Sequence, residues 1–287
     1  MRWRGERQSK NVEDRRGMSV SRGVKAGGIG GLALVVLVVV GMFLGIDPGV
    51  MLQVGETLQS PSATIEQNVQ PGRDDDDRRF VAVVLAETED VWNGVFAEAG
   101  RRYREPKLVL YTGAVESACG MAGSAVGPFY CPADQKVYLD LEFFDDLHTR
   151  FGASGDFARA YVIAHEIGHH VQTQIGILQQ VAELQSRAGA AEKNKLSVML
   201  ELQADCLAGM WAHHAQKNRD ILEAGDIEEG LNAASAVGDD RIQKRTQGYV
   251  VPDAFTHGSS AQRVTWFKRG YEQGSVKACD TFSAGRL

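Results

Sequence analysis

From Ala26 to Ile46 the chain runs for 21 residues without a charge, AGGIGGLALVVLVVVGMFLGI, between Lys25 and Asp47. No other feature restricts the possible folds more. As an α-helix this stretch is about 31 Å long, close to the hydrocarbon thickness of a bilayer. It is apolar on every side rather than along one stripe, which few helices of a globular core need. A buried core helix and a cleaved signal peptide are the competing readings. The run is long for a signal peptide, and no small-x-small site follows it clearly. The sequence therefore predicts one retained transmembrane helix over residues 26–46. Eight Lys/Arg and only three Asp/Glu fall within residues 1–27. By the positive-inside rule, residues 1–25 form a cytoplasmic basic segment and the body lies outside the cytoplasm, periplasmic or extracellular, on a single-pass anchor.

Beyond the apolar run, residues 47–77 carry Pro48, Pro61, Pro71, several Ser, Thr and Gln, and the acidic run Asp74 to Asp77. Little there is available for burial, so an extended linker is expected. The net charge of -6 hides an asymmetry: the 260 residues after Gly27 hold 23 basic against 34 acidic side chains. An acidic body excludes nucleic acid as a natural partner, because phosphate binding needs clustered Lys and Arg. All four cysteines, Cys119, Cys131, Cys206 and Cys279, follow the apolar run. An even count in an exported domain predicts two disulfides. The short loop SACGMAGSAVGPFYC favours Cys119 with Cys131, which leaves Cys206 with Cys279.

The body, residues 78–287, reads as one domain. Helical periodicity covers Arg79–Gly100, Asp156–Thr173, Lys195–Gln216, Asp226–Thr246 and Ser259–Gln273, the last two opening with capping-box spacing at Asp226/Glu229 and Ser259/Gln262. Strands are expected over Lys107–Thr112, Pro128–Pro132 and Lys136–Leu141, the last two joined by the turn Ala133-Asp134-Gln135. The order predicts an α+β fold, mainly α, with a small antiparallel sheet.

The chemistry concentrates in AYVIAHEIGHHVQTQ. His165 and His169 are four apart, so on a helix their imidazoles share a face and can grip one ion. Glu166 stands beside that ion, placed to take a proton from a metal-bound water. Tyr161, Val162, Ile163, Ala164, Ile167 and Val171 bury the helix, and Gly168 leaves room for close packing. His170 points about a quarter-turn away, toward a supporting or surface position. A catalytic zinc wants a third protein ligand and one open position. Glu201 and Asp205 share a face of an otherwise apolar helix, where unpaired carboxylates would cost several kcal/mol. Glu201 as ligand and Asp205 as acceptor for a ligating imidazole N–H would answer that cost. Spacing alone leaves open an exposed acidic pair. His257 sits just before a helix N-terminus and is either an oxyanion donor or a capping or core histidine.

Taken together, HEIGHHVQ, ELQADCLAG and FTHGSSAQRVTWFKRGY resemble the bacterial family of membrane-anchored neutral zinc metallopeptidases, as do SACGMAGSAVGPFYCPADQKVYLDLEFF and DIEEGLNAASAVGDDR. The likeness runs from about Arg78 to Phe282. The same three-part pattern is similar to the integral-membrane CAAX-prenyl-type proteases, in which a His is followed six residues later by Arg, here His257 and Arg263. Those proteases usually have Pro where this chain has Gly258. The resemblance implies a zincin-like metallopeptidase fold, Zn2+ held by His165, His169 and Glu201, Glu166 and His257 as catalytic residues, and Asp205 behind a ligating His. It also implies an extended peptide or protein substrate along an edge strand, for which Pro128–Pro132 and Lys136–Leu141 both qualify. The expected function is metal-assisted peptide hydrolysis by a membrane-anchored, exported enzyme. The alternative is a non-catalytic, zinc-stabilised partner-binding domain, and an accessible groove beside His165 separates the two.

Overall fold

The computed structural model describes residues 1–18 and 75–283. The expected transmembrane helix, residues 26–46, and most of the expected linker fall outside the described residues. Among the described residues no helix is long and apolar enough to cross a membrane.

The chain opens with β1 (Val12–Asp14) and, after residue 75, continues through α1 (Asp76–Glu98), β2 (Lys107–Tyr111), the hairpin β3 (Ala114–Ser117) and β4 (Gly120–Gly123), β5 (Phe129–Cys131) and β6 (Lys136–Asp140). The helical half follows: α2 (Glu142–Thr149), α3 (Asp156–Ile175), α4 (Ile177–Arg187), α5 (Ala190–Arg219), α6 (Asp226–Ala236), α7 (Asp239–Gln247) and α8 (Ser260–Gln273). The mainly helical α+β expectation agrees with this order. The acidic run assigned to the linker instead starts α1. Asp75 caps it by accepting from the Arg78 N–H, and Asp76 and Asp77 fill the first turn, where the helix dipole favours negative charge.

Residues 1–18, read above as a segment apart, belong to the body's compact unit. β1 pairs in parallel with β2, Val12 opposite Leu108. Trp3 is buried against Phe80, and its indole N–H donates to Asp156 at 2.7 Å. Arg2 pairs with Asp220, Arg7 with Glu89 and Asp90, and Arg16 with Asp14 and Asp75. The physical reason is burial and charge pairing: six basic against three acidic side chains in residues 1–18 offset part of the acidic excess of the body. A three-residue strand, VED, has no apolar alternation by which sequence could reveal it.

The main sheet has the order β1-β2-β6-β5. Its first three strands run parallel and only β5 is antiparallel, so the sheet is mixed rather than antiparallel as expected. β2 and β6 read as near-continuous apolar runs because both faces are covered. Leu108, Leu110, Val137 and Leu139 face the helical core. Val109, Tyr111 and Tyr138 face a smaller cluster with Val115 and Cys131, beneath the β3–β4 hairpin.

Both disulfides form as expected, Cys119–Cys131 and Cys206–Cys279. The capping box at Ser259/Gln262 is present. The one at Asp226/Glu229 is not: Glu229 turns away to accept from the Phe157 N–H at 3.0 Å. The single helix expected over 226–246 is two, broken at Val237–Gly238, where the Gly238 backbone is extended; a side chain at Gly238 would lie 2.4 Å from the Ser260 nitrogen at the start of α8. Helices α5 and α8 pack closely, since Gly270 lets the Cys206 carbonyl approach to 1.9 Å of where a Cβ would stand.

The Cys206–Cys279 bond ties the carboxyl-terminal segment to α5 across a separation of 73 residues. Replacing both cysteines with alanine is expected to lower stability by about 2–5 kcal/mol. Equilibrium urea unfolding of the oxidised protein measures the loss.

Candidate active site

Helix α3 carries His165, Glu166 and His169, and α5 carries Glu201 and Asp205. The helices cross at Gly168, where an added Cβ would stand 3.0 Å from the Ala204 carbonyl oxygen and 3.1 Å from its Cα. That contact sets Glu201 opposite the two imidazoles. One ligand atom from each of His165, His169 and Glu201 lies within 4.8 Å of the others. His165 Nε2 is 3.1 Å from Glu201 Oε2, and His169 Nε2 is 3.5 Å from Oε1.

The rings are fixed from behind. Asp205 Oδ1 lies 2.9 Å from His165 Nδ1, and Gln172 Oε1 lies 2.9 Å from His169 Nδ1. With each Nδ1–H donating to its oxygen, both Nε2 atoms face the Glu201 carboxylate. Two imidazole nitrogens and one carboxylate oxygen converging in a buried spot are the donor set of a catalytic zinc. Gln172 is held in turn: its amide donates to the Leu200 carbonyl and to Gln203, which donates to the Cys279 carbonyl. The disulfide-bonded tail thus supports the orientation of His169.

Asp205 is fully buried and meets polar groups of three residues, Tyr161, His165 and Arg263. Arg263 of α8 grips it bidentately, Nε to Oδ2 at 2.8 Å and Nη2 to Oδ1 at 2.9 Å. The Tyr161 hydroxyl donates to Oδ1 and accepts from Arg263 Nη2 at 3.2 Å. Burial pushes the Asp205 carboxyl up, but Arg263 and His165 outweigh it and hold it below its ordinary range. Burial works against a charged His165 as well, yet the Asp205 and Glu201 carboxylates raise its pKa to about 10. Glu201 is held below its usual range, with His169 and His165 overcoming burial. The cage is therefore built around positive charge, whether carried by a proton or by a metal ion.

A cleft of about 670 Å³ opens beside these residues, and His165, Glu166, His169, Glu201 and His257 line it. Its wall is largely apolar, with Phe129, Phe143, Phe151 and Val162. Of the two candidate edge strands, β6 is paired on both sides, while β5 has β6 on one side only. β5 also lines the cleft through Phe129 and Tyr130, so it is the edge beside the site.

His257 is half exposed at the cleft. Asp239, the first residue of α7, holds it from behind: Oδ2 accepts the N–H of Thr256, His257 and Gly258, and Oδ1 lies 3.2 Å from His257 Nδ1. The hydrogen bond to Asp239 raises the pKa of His257 above its ordinary 6.5, against burial and with help from Glu201. Gly258 has φ +89°, a region closed to proline, which accounts for its departure from the CAAX-type pattern. His170 is buried rather than at the surface. Its Nε2–H donates to the Arg104 carbonyl at 2.6 Å and its Nδ1 lies 3.1 Å from the Tyr130 hydroxyl, so it braces β5 against α3. Burial pushes its pKa down to about 4, which keeps it neutral.

Sequence reasoning placed the three ligand candidates, Glu166, Asp205 and His257 together, and the structure brings all six to one place. It missed the roles of Tyr161, Gln172 and Asp239. Tyr161 and Gln172 carry a readable signal, four residues before His165 and three after His169 on the same helix face. Asp239 lies 18 residues before the histidine it holds, and no local pattern connects them.

A family model described as "Putative neutral zinc metallopeptidase" matches residues 1–282. The chain is 49% identical over 289 residues to the uncharacterized protein YpfJ of Escherichia coli K12, covering 98% of this chain and 99% of that protein. It is 44% identical over 263 residues to the uncharacterized protein Mb2605 of Mycobacterium bovis and to Rv2575 of Mycobacterium tuberculosis H37Rv, covering 86% of each chain. No solved structure matches.

Removing Asp205 leaves Arg263 buried without its counter-charge. Asp205→Ala is expected to destabilise the metal-free protein by about 3–5 kcal/mol. Asp205→Leu combined with Arg263→Met, which removes both charges, is expected to recover most of that loss. Chemical denaturation of the three proteins provides the comparison.

Proposed function

The chain belongs to the neutral zinc metallopeptidase family, and from that premise we propose that it hydrolyses peptide bonds in the α3–α5 cleft, with His165, His169 and Glu201 as the zinc ligands. The observation that carries this reading is the convergence of two imidazole Nε2 atoms and one carboxylate beside an open cleft, with Glu166 next to them. Zinc bound there would lower the pKa of a water and polarise the scissile carbonyl.

The chain's own residues supply the remaining steps. The free edge of β5 offers backbone N–H and C=O groups to an extended peptide, and the apolar cleft wall takes its side chains. Glu166 removes the proton from the attacking water and delivers it to the leaving amine nitrogen. His257, whose charged form Asp239 favours, donates a hydrogen bond to the oxyanion of the tetrahedral intermediate. Asp205 and Gln172 hold the two imidazoles in the tautomer that presents Nε2. The open cleft favours a hydrolase over a zinc-stabilised binding domain, which has no need of a vacant groove at its metal.

Two disulfides support an oxidising compartment for the body. We therefore place the enzyme outside the cytoplasm, associated with the membrane through residues 26–46.

Glu166→Gln is expected to retain zinc at wild-type stoichiometry and to lose peptide hydrolysis by at least about 10²-fold. Metal analysis paired with a chelator-sensitive peptide-library assay reads both quantities. Wild-type turnover in that variant removes Glu166 from the mechanism. His257→Ala is expected to lower kcat by about 10²-fold with a smaller change in KM. Because the charged imidazole donates, activity should fall as pH rises through the elevated pKa of His257. In Asp239→Asn that alkaline limb should move to lower pH in a kcat–pH profile.

A further inference from the structure

We propose that the substrate enters this cleft as an internal, extended segment of a polypeptide, and that a large apolar side chain near the scissile bond seats against Phe143, Phe151, Val162, Val237 and Ile242. The inference rests on the peptidase reading above and adds the class of substrate to it. Val162 lies three residues before His165 and four before Glu166 on α3, so it continues the ligand face by one turn toward the helix N-terminus. Phe143 of α2 and Phe151 beyond it set their ring centroids 6.1 Å apart. Ile242 belongs to α7, and Val237 to the junction between α6 and α7. All five line the cleft. They come from separate elements, so together they form a concave wall rather than the stripe of one helix.

Two contacts hold this wall in place. Phe143 packs on the turn that leads into β5, where an added Cβ at Gly127 would stand 3.5 Å from its ring. The wall therefore adjoins the strand edge offered to the peptide backbone. Phe151 carries the Arg245 guanidinium 5.0 Å and the Arg150 guanidinium 6.0 Å from its ring centroid, cation–π contacts that steady the ring. Phe143, Phe151, Val237 and Ile242 are nonetheless only partly buried. Apolar surface that faces a cleft and stays in water is covered favourably by an apolar side chain.

Charge points the same way. Among the described residues lining the cleft, Arg150 is paired with Asp146 at 2.8 Å, Arg263 with Asp205, Glu201 with the two imidazoles and His257 with Asp239. Glu166 is taken up by the hydrolysis itself. A terminal ammonium or carboxylate drawn against the apolar wall would lose hydration without gaining a counter-charge, whereas an uncharged internal segment has no such cost. The cleft also continues past His165 and His169 in the other direction, along Leu178 and Gln185 of α4 and Ser197 and Leu200 of α5. The Gln185 amide there is occupied by the Lys193 carbonyl and the Ser197 hydroxyl. Room on both sides of the histidines fits a bond inside a chain rather than one at its end.

The test uses the full-length zinc-loaded protein and decapeptides acetylated at one end and amidated at the other, differing at one central residue. Cleavage at an internal bond is expected, with kcat/KM about 10- to 100-fold higher for Leu or Phe than for Asp or Lys at that residue. Ile242→Asp, at a partly buried position on the short helix α7, places a carboxylate in the wall and is expected to reverse the ranking in favour of Lys. A second measurement needs no turnover. A blocked decapeptide carrying benzoylphenylalanine at the central residue is irradiated with the Glu166→Gln protein, and the adducts are mapped by mass spectrometry to the wall residues. Equal rates across the central residues, cleavage only of the same peptides with free ends, or adducts away from the wall each overturn the inference and leave the peptidase reading standing. Adducts in the wall with no turnover of any peptide by the wild-type protein overturn the peptidase reading and leave the apolar seat in place.

Discussion

The carboxylate of Asp205 is the constraint from which the rest of the site follows. It is completely buried and contacts an arginine, a tyrosine hydroxyl and a histidine ring contributed by α8 and α3. Burying a charge costs several kcal/mol after relaxation, so it is stable only where counter-charge and hydrogen bonds fill its lone pairs. Here that requirement fixes the relative placement of three helices. It also fixes the His165 tautomer, and with it the direction in which Nε2 points. Packing density does the remaining work: Gly168 and Gly270 let α3 and α8 approach α5 more closely than any side chain would permit.

The site has two mechanical supports with different physical origins. Behind the ligands, charge and hydrogen bonds run from His165 through Asp205 to Arg263, and from His169 through Gln172 and Gln203 to the disulfide-bonded tail. Across the cleft, β5 is fixed by pairing with β6, by the Cys119–Cys131 bond and by the neutral His170 against Tyr130. The two edges of the main sheet are treated differently. One is occupied by β1 from the amino-terminal segment, and the other stays free beside the cleft lined by His165, His169 and Glu201.

Much of this was legible in the sequence because it is local. Ligand spacing on α3, the E-x-x-A-D face of α5, the capping box at Ser259 and the two disulfide pairings all follow from residues a turn or a short loop apart, or from parity. The acidic run at Asp74–Asp77 was read as solvated linker because a helix N-terminus and a charged tether have the same composition. The need for glycine at 238 was not visible because the neighbour it makes room for, the start of α8, lies more than 20 residues downstream. The parallel strands were missed for a similar reason: β1 is too short to show periodicity, and its partner β2 is nearly a hundred residues away.

By itself the sequence determined the chemistry, since the identity and helical spacing of His165, Glu166, His169, Glu201 and Asp205 are properties of neighbouring residues on two helices. Only the tertiary structure decided which strand borders the cleft, what holds His257, and that the basic amino-terminal residues are structural partners of an acidic body. Those outcomes depend on contacts between residues tens to hundreds of positions apart. Their energies come from burial and charge pairing that no short window of sequence encodes.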